Sequence, residues 1–514
     1  MQSDVKKLPF EQVANFPKLF LDYVNGREEL KPLYGHFPAI KGFQEQLKLK
    51  KFSHRAVLTD ALKRQYAGTE NPPELDLLLQ ENTFTVTTGH QLNIFTGPLY
   101  VIYKIVSTIN LAKQLKAAFP EYNFVPVYWM ATEDHDFAEI ASFHLFGQKY
   151  TWETGQKGAV GEMNPEGLLK IFDELKDQPE VFLKAYSEND TLAGAVRQYM
   201  HALFGMQGLV CVDGNDRELK RLFVPVMLDE LQNHSVKREL DKNAETLEKL
   251  GYKPQIHPRE INLFYKEAGL RERIEFSNGH YPVLETDLRF SPEEMTKLAE
   301  EQPEKISPNV ALRPLYQETI LPNLAYLGGP SELAYWLQLK GVFEHYGVAF
   351  PILLPRNLAL VINGGLKKRM DKLGVTAEEL YLDDAALKKA FVEKNSENSL
   401  SLKTEEEAVT QAFAEIISKA KEVDPTLEGA IEAEKAKVLK GLSHLEARIK
   451  KAEERKFDTS INQLMGLKEK LFPGGSQQER KDNFLNFYLN DPGFIDKLFT
   501  VFDPLDLRFN VIFS

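Results

Sequence analysis

The sequence has almost no cysteine, no long apolar run and no excess of basic charge. Cys211 is the single cysteine among 514 residues, which excludes a disulfide framework and a cysteine-rich zinc site. No segment approaches the roughly 18 apolar residues that a membrane helix needs, and the first residues lack the apolar stretch of a secretory signal. Lys and Arg total 63 against 75 Asp and Glu, a net charge of −12, which argues against sequence-independent nucleic-acid binding. We therefore expect a cytoplasmic protein without membrane or nucleic-acid partners.

The chain does contain the alternation of strands and helices that is typical of a parallel sheet. Residues 83–88 are rich in β-forming residues, residues 98–119 carry apolar side chains at helical spacing, and residues 123–131 form a second β-rich run. Together they predict a βαβ unit, whose two strands are parallel. Further strands are predicted at 208–213, 324–329 and 350–355, with a helix at 331–347. The predicted fold class is therefore α/β.

Composition divides the chain into four parts. Residues 1–80 predict an N-terminal helical segment of the core, and residues 81–400 predict the core itself, with inserted connecting segments at about 254–308. Residues 401–475 shift to Ala, Glu, Lys and Leu, and residues 476–514 are expected to pack back on the core.

A narrow apolar stripe runs along the Lys- and Glu-rich part. It consists of Ile431, Val438, Leu442, Leu445, Ile449 and Ala452, at alternating spacings of three and four, with Lys435 in one expected apolar position. Such a stripe is the signature of a coiled coil. We expect two antiparallel arms that turn at Asp424-Pro425, and two such hairpins pairing in a homodimer.

The loop after the first predicted strand is a candidate anion site. Its candidate residues are Gly89, His90, Gln91, Thr96 and Gly97. Open α/β sheets bind ligands at the carboxyl ends of their strands, and the N–H groups at a helix start favour phosphate or carboxylate. His90 can donate a hydrogen bond to an anion, and Thr96 can do the same or cap the helix. The alternative interpretation is a glycine-rich turn with a capping threonine, since no phosphate-binding glycine motif is present.

Four ionisable residues, Glu133-Asp134-His135-Asp136, follow the second strand directly. Side chains of these types can hold a substrate amine, position a divalent cation or act as acid and base. Asp134, His135 and Asp136 are the predicted catalytic residues. The alternative interpretation is a hydrophilic loop in which Asp136 caps the next segment.

A third group of candidates lies between residues 307 and 356. It comprises Asn309, Arg313, Gly328, Gly329, Glu332 and Arg356. Arginine suits bidentate binding of carboxylate or phosphate, so both arginines are candidates for an anion site. The alternative for Arg313 is an ordinary surface arginine.

Three blocks of sequence carry a family resemblance. They are GHQLNIFTGPLYVIYK (89–104), VPVYWMATEDHD (125–136) and NVALRPLYQETILPNLAYLGGPSELAYW (309–336). In order and spacing, together with the helical arms, they resemble the bacillithiol biosynthesis cysteine-adding enzyme family over essentially the whole chain. His90 stands where many members have glutamine.

The resemblance implies a Rossmann-like core similar to class I nucleotidyltransferases and a coiled coil that makes a homodimer. It also implies the last step of bacillithiol synthesis, in which the carboxyl of L-cysteine is joined to the amine of glucosaminyl-malate. ATP or a related nucleotide is expected, because a free carboxylate is a poor acylating agent. No structural metal is expected, since one thiol cannot build a cysteine-selecting zinc site. Two alternatives stay open: a metal-dependent nucleotidyltransferase or hydrolase using residues 133–136, and a non-catalytic coiled-coil adaptor.

Overall fold

The computed structural model describes residues 4–13 and 16–513, which fall into two compact units. The first unit runs to Val361 and resumes at Ser476–Ile512, and the second unit is Ile362–Gly475 together with Phe513. Within the described part of the chain, no helix combines the length and the apolar character that crossing a membrane requires.

The strands of the described residues belong to five sheets, of which one is central and four are small. In chain order the strands are β1 (Asp4–Leu8), β2 (Thr83–His90), β3 (Asn123–Met130), β4 (Ser142–Leu145), β5 (Gln148–Thr151), β6 (Val210–Asp213), β7 (Leu263–Glu267), β8 (Leu270–Arg273), β9 (Tyr281–Pro282), β10 (Arg289–Phe290), β11 (Ile306–Pro308), β12 (Asn323–Gly328), β13 (Ile352–Pro355), β14 (Ala359–Ile362) and β15 (Phe509–Phe513).

The helices surround the sheets in the first unit and make up almost all of the second. In the first unit up to residue 361 they are α1 (Lys18–Val24), α2 (Ile40–Leu49), α3 (Arg55–Gln65), α4 (Tyr100–Ala118), α5 (Phe137–Ile140), α6 (Leu169–Phe172), α7 (Glu180–Glu188), α8 (Leu192–Phe204), α9 (Arg217–Arg221), α10 (Val224–Asn233), α11 (Ser235–Lys249), α12 (Pro292–Glu301), α13 (Arg313–Ile320), α14 (Pro330–Trp336) and α15 (Lys340–His345). They continue with α16 (Gly364–Leu373), α17 (Asp384–Asn395), α18 (Lys403–Val423), α19 (Glu428–Lys456), α20 (Asp458–Leu471), α21 (Gln478–Lys481), α22 (Leu485–Tyr488) and α23 (Phe494–Val501).

The central sheet has five parallel strands in the order β13-β12-β2-β3-β6. Strand β2 lies in the middle and is buried along its whole length, which suits its run of β-branched residues. Helix α4 covers β2 and β3, and the apolar core includes Phe84, Val86, Leu111, Leu115, Leu324, Leu327, Ile352 and Leu354. The chain adds β3 and β6 on one side of β2, and β12 and β13 on the other. The strand order therefore reverses between β2 and β12, where such sheets form a crevice at their carboxyl ends.

The predicted βαβ unit is present, and one predicted helix is wrong. Strand β2 extends through His90, two residues past the predicted end, and α4 begins at Tyr100. The single helix predicted at 331–347 is two helices, α14 and α15. The helical structure is interrupted between them at Gln338. The Gln338 carbonyl accepts a hydrogen bond from Asn243 Nδ2 (2.7 Å), and the Gln338 side chain accepts one from the Gln255 amide (2.7 Å). These tertiary hydrogen bonds replace helical ones.

The inserted segment forms an antiparallel sheet in the order β11-β7-β8. Alternate residues of a strand point to the same face, so Arg271 and Arg273 of β8 share one face.

The second unit begins earlier than the boundary predicted at residue 401. Helix α16 packs against α20, and α17 packs against α19 and α20, so residues from Ile362 onward join the helical unit. Residues 362–400 are themselves rich in Lys, Glu, Asp, Ala and Leu, so the change of composition already begins before residue 401. The unit ends at Gly475.

Helices α18 and α19 form the antiparallel hairpin, with the short turn Pro425–Leu427 between them. The predicted apolar stripe coincides only in part with the seam of this hairpin. Val438 (41%), Leu445 (50%) and Ile449 (41%) of the stripe are exposed. Lys435, Glu446 and Lys450 are half-buried where the stripe residues are exposed, so part of the apolar stripe faces outward. The half-buried positions of α19 include Ile431, Lys435, Leu439, Leu442, Glu446 and Lys450.

Candidate functional site

A cavity of about 600 Å³ opens at the carboxyl ends of β2, β3 and β12. Its walls include Gly89, His90 and Gln91 at the end of β2, residues 129–134 around the end of β3, and residues 329–332 after β12. The cavity thus lies at the point where the strand order reverses, as expected for a ligand site in such a sheet.

Lys104 of α4 joins two walls of this cavity. Its buried Nζ donates to the Gly89 carbonyl (2.8 Å) and pairs with Glu332 (2.7 Å). Burial lowers the pKa of Lys104. Burial alone would raise the pKa of Glu332, but Lys104 and the Gly329 amide (2.6 Å) hold it below its usual value. Sequence reasoning missed Lys104, although a lysine inside an otherwise apolar helix is a visible signal.

His90 is a neutral imidazole in an electropositive setting. Its ring is 8% exposed and meets the ring of Tyr100 edge-on at 5.2 Å, and Nε2 has no hydrogen-bond partner. Burial, then the charges of Lys104 and Arg356, lower the pKa of His90 well below its usual value. His90 is therefore uncharged at neutral pH and has one ring nitrogen available to a ligand.

Arg313 begins α13 and lies against the end of β2. Its Nη1 donates to Gln317 (3.0 Å), while Nη2 is buried without a hydrogen-bond partner. The guanidinium lies 5.8 Å from the ring centre of Tyr326. A Cβ on Gly89 would come within 3.3 Å of the Tyr326 hydroxyl and 3.7 Å of Arg313 Nη1, so glycine leaves room for this approach.

The neighbouring Asn309 holds the start of α13. Its side-chain oxygen accepts from the Ala311 amide (2.9 Å) and its carbonyl accepts from the Arg313 amide (2.8 Å). Asn309 also lines the cavity.

Arg356 lines the cavity but its charge is already compensated. Both terminal nitrogens donate to Glu479 (2.7 and 3.0 Å), and the two side chains are each 1% exposed. The guanidinium lies 5.0 Å from the ring centre of Tyr100. The predicted anion-site residue Arg356 therefore lines the cavity with its charge paired to Glu479, which lies 123 positions away in the chain and which no local pattern indicates.

Only part of the acidic cluster at residues 133–136 lines the cavity. Asp134 lines the cavity and accepts a hydrogen bond from Gln91 (3.4 Å). Its neighbour Glu133 also lines the cavity but is paired with the buried Lys220 (2.6 Å). His135 and Asp136 lie outside the lining: His135 contacts Arg271 Nη1 (2.7 Å), and Asp136 accepts from the Glu139 amide as the cap of α5. Of the three predicted catalytic residues, only Asp134 faces the cavity.

Thr96, Gly97 and Gly328 lie outside the cavity lining as well. Thr96 is fully buried and caps no helix, since α4 begins at Tyr100. Gly97 has a φ of +63°, and a Cβ there would lie 2.5 Å from Asn93 Cβ, so its glycine is a requirement of the loop. The Gly328 carbonyl accepts from the Arg356 amide (2.9 Å). Thr96, Gly97 and Gly328 therefore have structural positions next to the cavity and do not line it.

Sequence reasoning also missed the arginines that other segments bring to the cavity. Arg259, Arg271 and Arg273 come from the inserted segment and Arg480 from the C-terminal part. Arg271 is 8% exposed, lies 4.0 Å from the ring centre of Phe264, and donates to Ser307 (3.1 Å). The whole lining carries seven Lys and Arg side chains against four carboxylates, although the chain as a whole is acidic. Among the described residues, no group of three or more His, Cys, Asp or Glu is arranged to hold a metal ion.

Family profiles cover almost the whole chain. Residues 4–357 match "Bacillithiol biosynthesis BshC, N-terminal Rossmann-like domain", and residues 359–514 match "Bacillithiol biosynthesis BshC, C-terminal coiled-coil domain". The chain belongs to the BshC family. The predicted family, the Rossmann-like α/β class and the C-terminal coiled coil are thereby confirmed.

Relatives of the BshC family match over their full length. A protein of Flavobacterium psychrophilum is 43% identical over 98% of both chains, and one of Cytophaga hutchinsonii is 42% identical over 97% of both. Both carry the name "Putative cysteine ligase BshC". A solved structure from Campylobacter jejuni, titled as an arginyl-tRNA synthetase, shares 13% identity over 87% of this BshC chain and 95% of its own. Its TM-score of 0.23 is too low to support a common fold. The resemblance to class I nucleotidyltransferases stays a prediction.

Proposed function

We propose that this BshC-family protein is a ligase that joins the carboxyl of L-cysteine to the amine of glucosaminyl-malate, the last step of bacillithiol synthesis. The names of its relatives support an enzyme that adds cysteine. The observation that carries the proposal is a cavity at the switch point of the sheet that combines an electropositive lining with the carboxylate of Asp134. The family match does not favour the hydrolase or adaptor alternatives.

The cavity suits the charges of the proposed substrates. Glucosaminyl-malate brings two carboxylates, cysteine brings one, and a nucleotide brings several phosphate charges, all of which an arginine-rich lining can bind. ATP or a related nucleotide would supply the activation of the cysteine carboxyl by group transfer. We assign its binding to the lining arginines.

Asp134 is the residue we propose to hold the attacking amine. Among the described residues, no lysine or arginine lies within 4.0 Å of its carboxylate, and its nearest basic neighbour, His135 (3.9 Å), has a pKa lowered by burial and by Arg271. A carboxylate without a cationic partner can bind the sugar ammonium group and take its proton as the amide forms.

The assembly belongs to the same proposal. We propose that the exposed stripe on α19 pairs two chains in a homodimer, and that the enzyme works in the cytoplasm. Exposed apolar residues on a charged helix support a contact with a second narrow stripe.

The direct test is a reaction with purified protein. We expect the amide product to accumulate, as detected by mass spectrometry, only when L-cysteine, glucosaminyl-malate and ATP are all present. The co-product identifies the activation: AMP and pyrophosphate for an adenylate, ADP and phosphate for an acyl phosphate. Accumulation of glucosaminyl-malate in a gene deletion would support the same step in the cell. Turnover of ATP with no amide product under any of these conditions would contradict the proposal.

A further inference from the structure

Some of the positively charged side chains that line the cavity have a carboxylate partner, and others have none among the described residues. Around the ends of β2 and β12, Lys104 is paired with Glu332 and Arg356 with Glu479. Arg313 is half-buried and has no carboxylate within 4.0 Å among the described residues, so this end of the cavity carries a guanidinium without an ion-pair partner.

The same end holds buried polar atoms without partners. Arg313 Nη2, His90 Nε2 and Arg356 Nε all belong to lining residues and make no hydrogen bond within the described structure. A neutral imidazole can present Nε2 as an N–H donor, and both arginine nitrogens are donors. Leaving such groups buried and unpaired costs roughly 1–3 kcal/mol each, so a ligand that satisfies them gains affinity.

A guanidinium without an ion-pair partner and a few donors match a single carboxylate. The aromatic rings of Tyr326 and Trp336 lie 5.8 and 5.9 Å from the Arg313 guanidinium, which keeps this end of the cavity poor in water. A triphosphate would bring several negative charges that nothing here balances, and burying uncompensated charge is costly.

The arginines that the inserted segment brings to the cavity have a different character. Arg259 and Arg273 are exposed and Arg271 is buried, and none of the three has a carboxylate within 4.0 Å among the described residues. Three guanidinium groups from one segment, two of them on exposed residues, suit a polyphosphate that keeps part of its hydration.

We propose that the cavity has two anion subsites: Arg313 and His90 bind the carboxylate of the amino-acid substrate, and Arg259, Arg271 and Arg273 bind the polyphosphate of the nucleotide. This assignment rests on the proposed function. It places the amino acid, and not the nucleotide phosphates, at the glycine-containing end of β2.

Calorimetry on the full-length protein tests the assignment without turnover. L-Cysteine and Mg-ATP are titrated separately, and cysteine is titrated again in the presence of a non-hydrolysable ATP analogue. We expect Arg313→Gln to weaken cysteine binding about 10- to 100-fold and to leave the Kd for ATP unchanged. Arg273→Gln should weaken the binding of ATP and leave the Kd for cysteine unchanged. L-Cysteine methyl ester, which lacks the carboxylate charge, should be insensitive to Arg313→Gln.

Two controls keep the test sharp. Arg313→Lys retains the charge and should restore part of the cysteine affinity, while Arg369→Gln, on an exposed face of α16, should change neither Kd. Thermal unfolding confirms that each variant is folded. The assignment is overturned if Arg313→Gln weakens the binding of ATP and leaves the Kd for cysteine unchanged. If the folded wild-type protein binds neither ligand, the proposed function itself fails.

Discussion

At the scale of single residues, environment separates side chains of the same type. Asp134 and Asp136 are two positions apart, yet Asp134 lines the cavity and Asp136 caps α5 outside it. The same contrast holds for the arginines, since Arg356 is paired with Glu479 while Arg313 has no carboxylate within 4.0 Å among the described residues. Residue type alone therefore does not assign a role here.

The two aspartates give a matched test of the proposed amine site. Asp134→Asn removes the charge and should lower product formation by about 100-fold. Asp136→Asn should leave the rate close to that of the wild type, because asparagine is also a good helix cap. Both variants are compared by product formation at saturating substrate, with circular dichroism to confirm folding. If Asp134→Asn forms product as fast as Asp136→Asn, Asp134 does not hold the amine and its role is structural.

At the scale of elements, a short helix near the C-terminus completes the wall of the site. Helix α21 supplies Glu479, which binds Arg356 and also accepts from the Ala359 amide (3.1 Å), while Gln478 exchanges two hydrogen bonds with the backbone of Val361. These contacts join segments more than 100 residues apart in the chain.

Loss of this carboxylate should be costly for stability. Glu479→Gln leaves the Arg356 guanidinium buried without its counter-charge, so we expect the free energy of unfolding to fall by about 3 kcal/mol. Urea denaturation of the full-length protein measures this free energy of unfolding. The control is Glu153→Gln, because Glu153 is an exposed acidic residue of the first unit. A change no larger than that of the control would show that Arg356 does not depend on Glu479.

At the scale of the whole molecule, the outward-facing stripe of α19 bears on assembly. Val438 and Leu445 are 41% and 50% exposed, on a helix whose other faces are charged. We expect the wild type to sediment as a dimer at micromolar concentration. Replacing both residues with Asp places charge in the contact, so the dissociation constant should rise at least about 100-fold, since the desolvation of a charge costs several kcal/mol.

A charge change elsewhere on the same helix is the control for this experiment. Lys437 is exposed and adjacent to the stripe, and Lys437→Asp should sediment like the wild type. A wild-type protein that is monomeric at micromolar concentration would rule out this role for the stripe.

Much of the architecture could be inferred from local patterns in the sequence. The β-branched run at 83–88, the helical spacing after Pro98 and the strand at 123–131 define the βαβ unit, because strand and helix periodicity are properties of neighbouring residues. The polar residues at the strand ends, such as Gln91 and Asp134, could be placed near one another because parallel strands end at the same edge. The coiled coil was visible in its spacing of three and four.

The charge arrangement of the site depends on contacts that no local pattern encodes. Glu479 compensates Arg356 across 123 positions, and the inserted sheet carries Arg271 and Arg273 to a cavity whose central strand lies far away in the chain. The outward face of the α19 stripe depends likewise on which positions of the helix are half-buried in the hairpin. Secondary structure follows from neighbours in sequence, whereas pairing, burial and unpartnered charge follow from neighbours in space, and only the folded chain sets those.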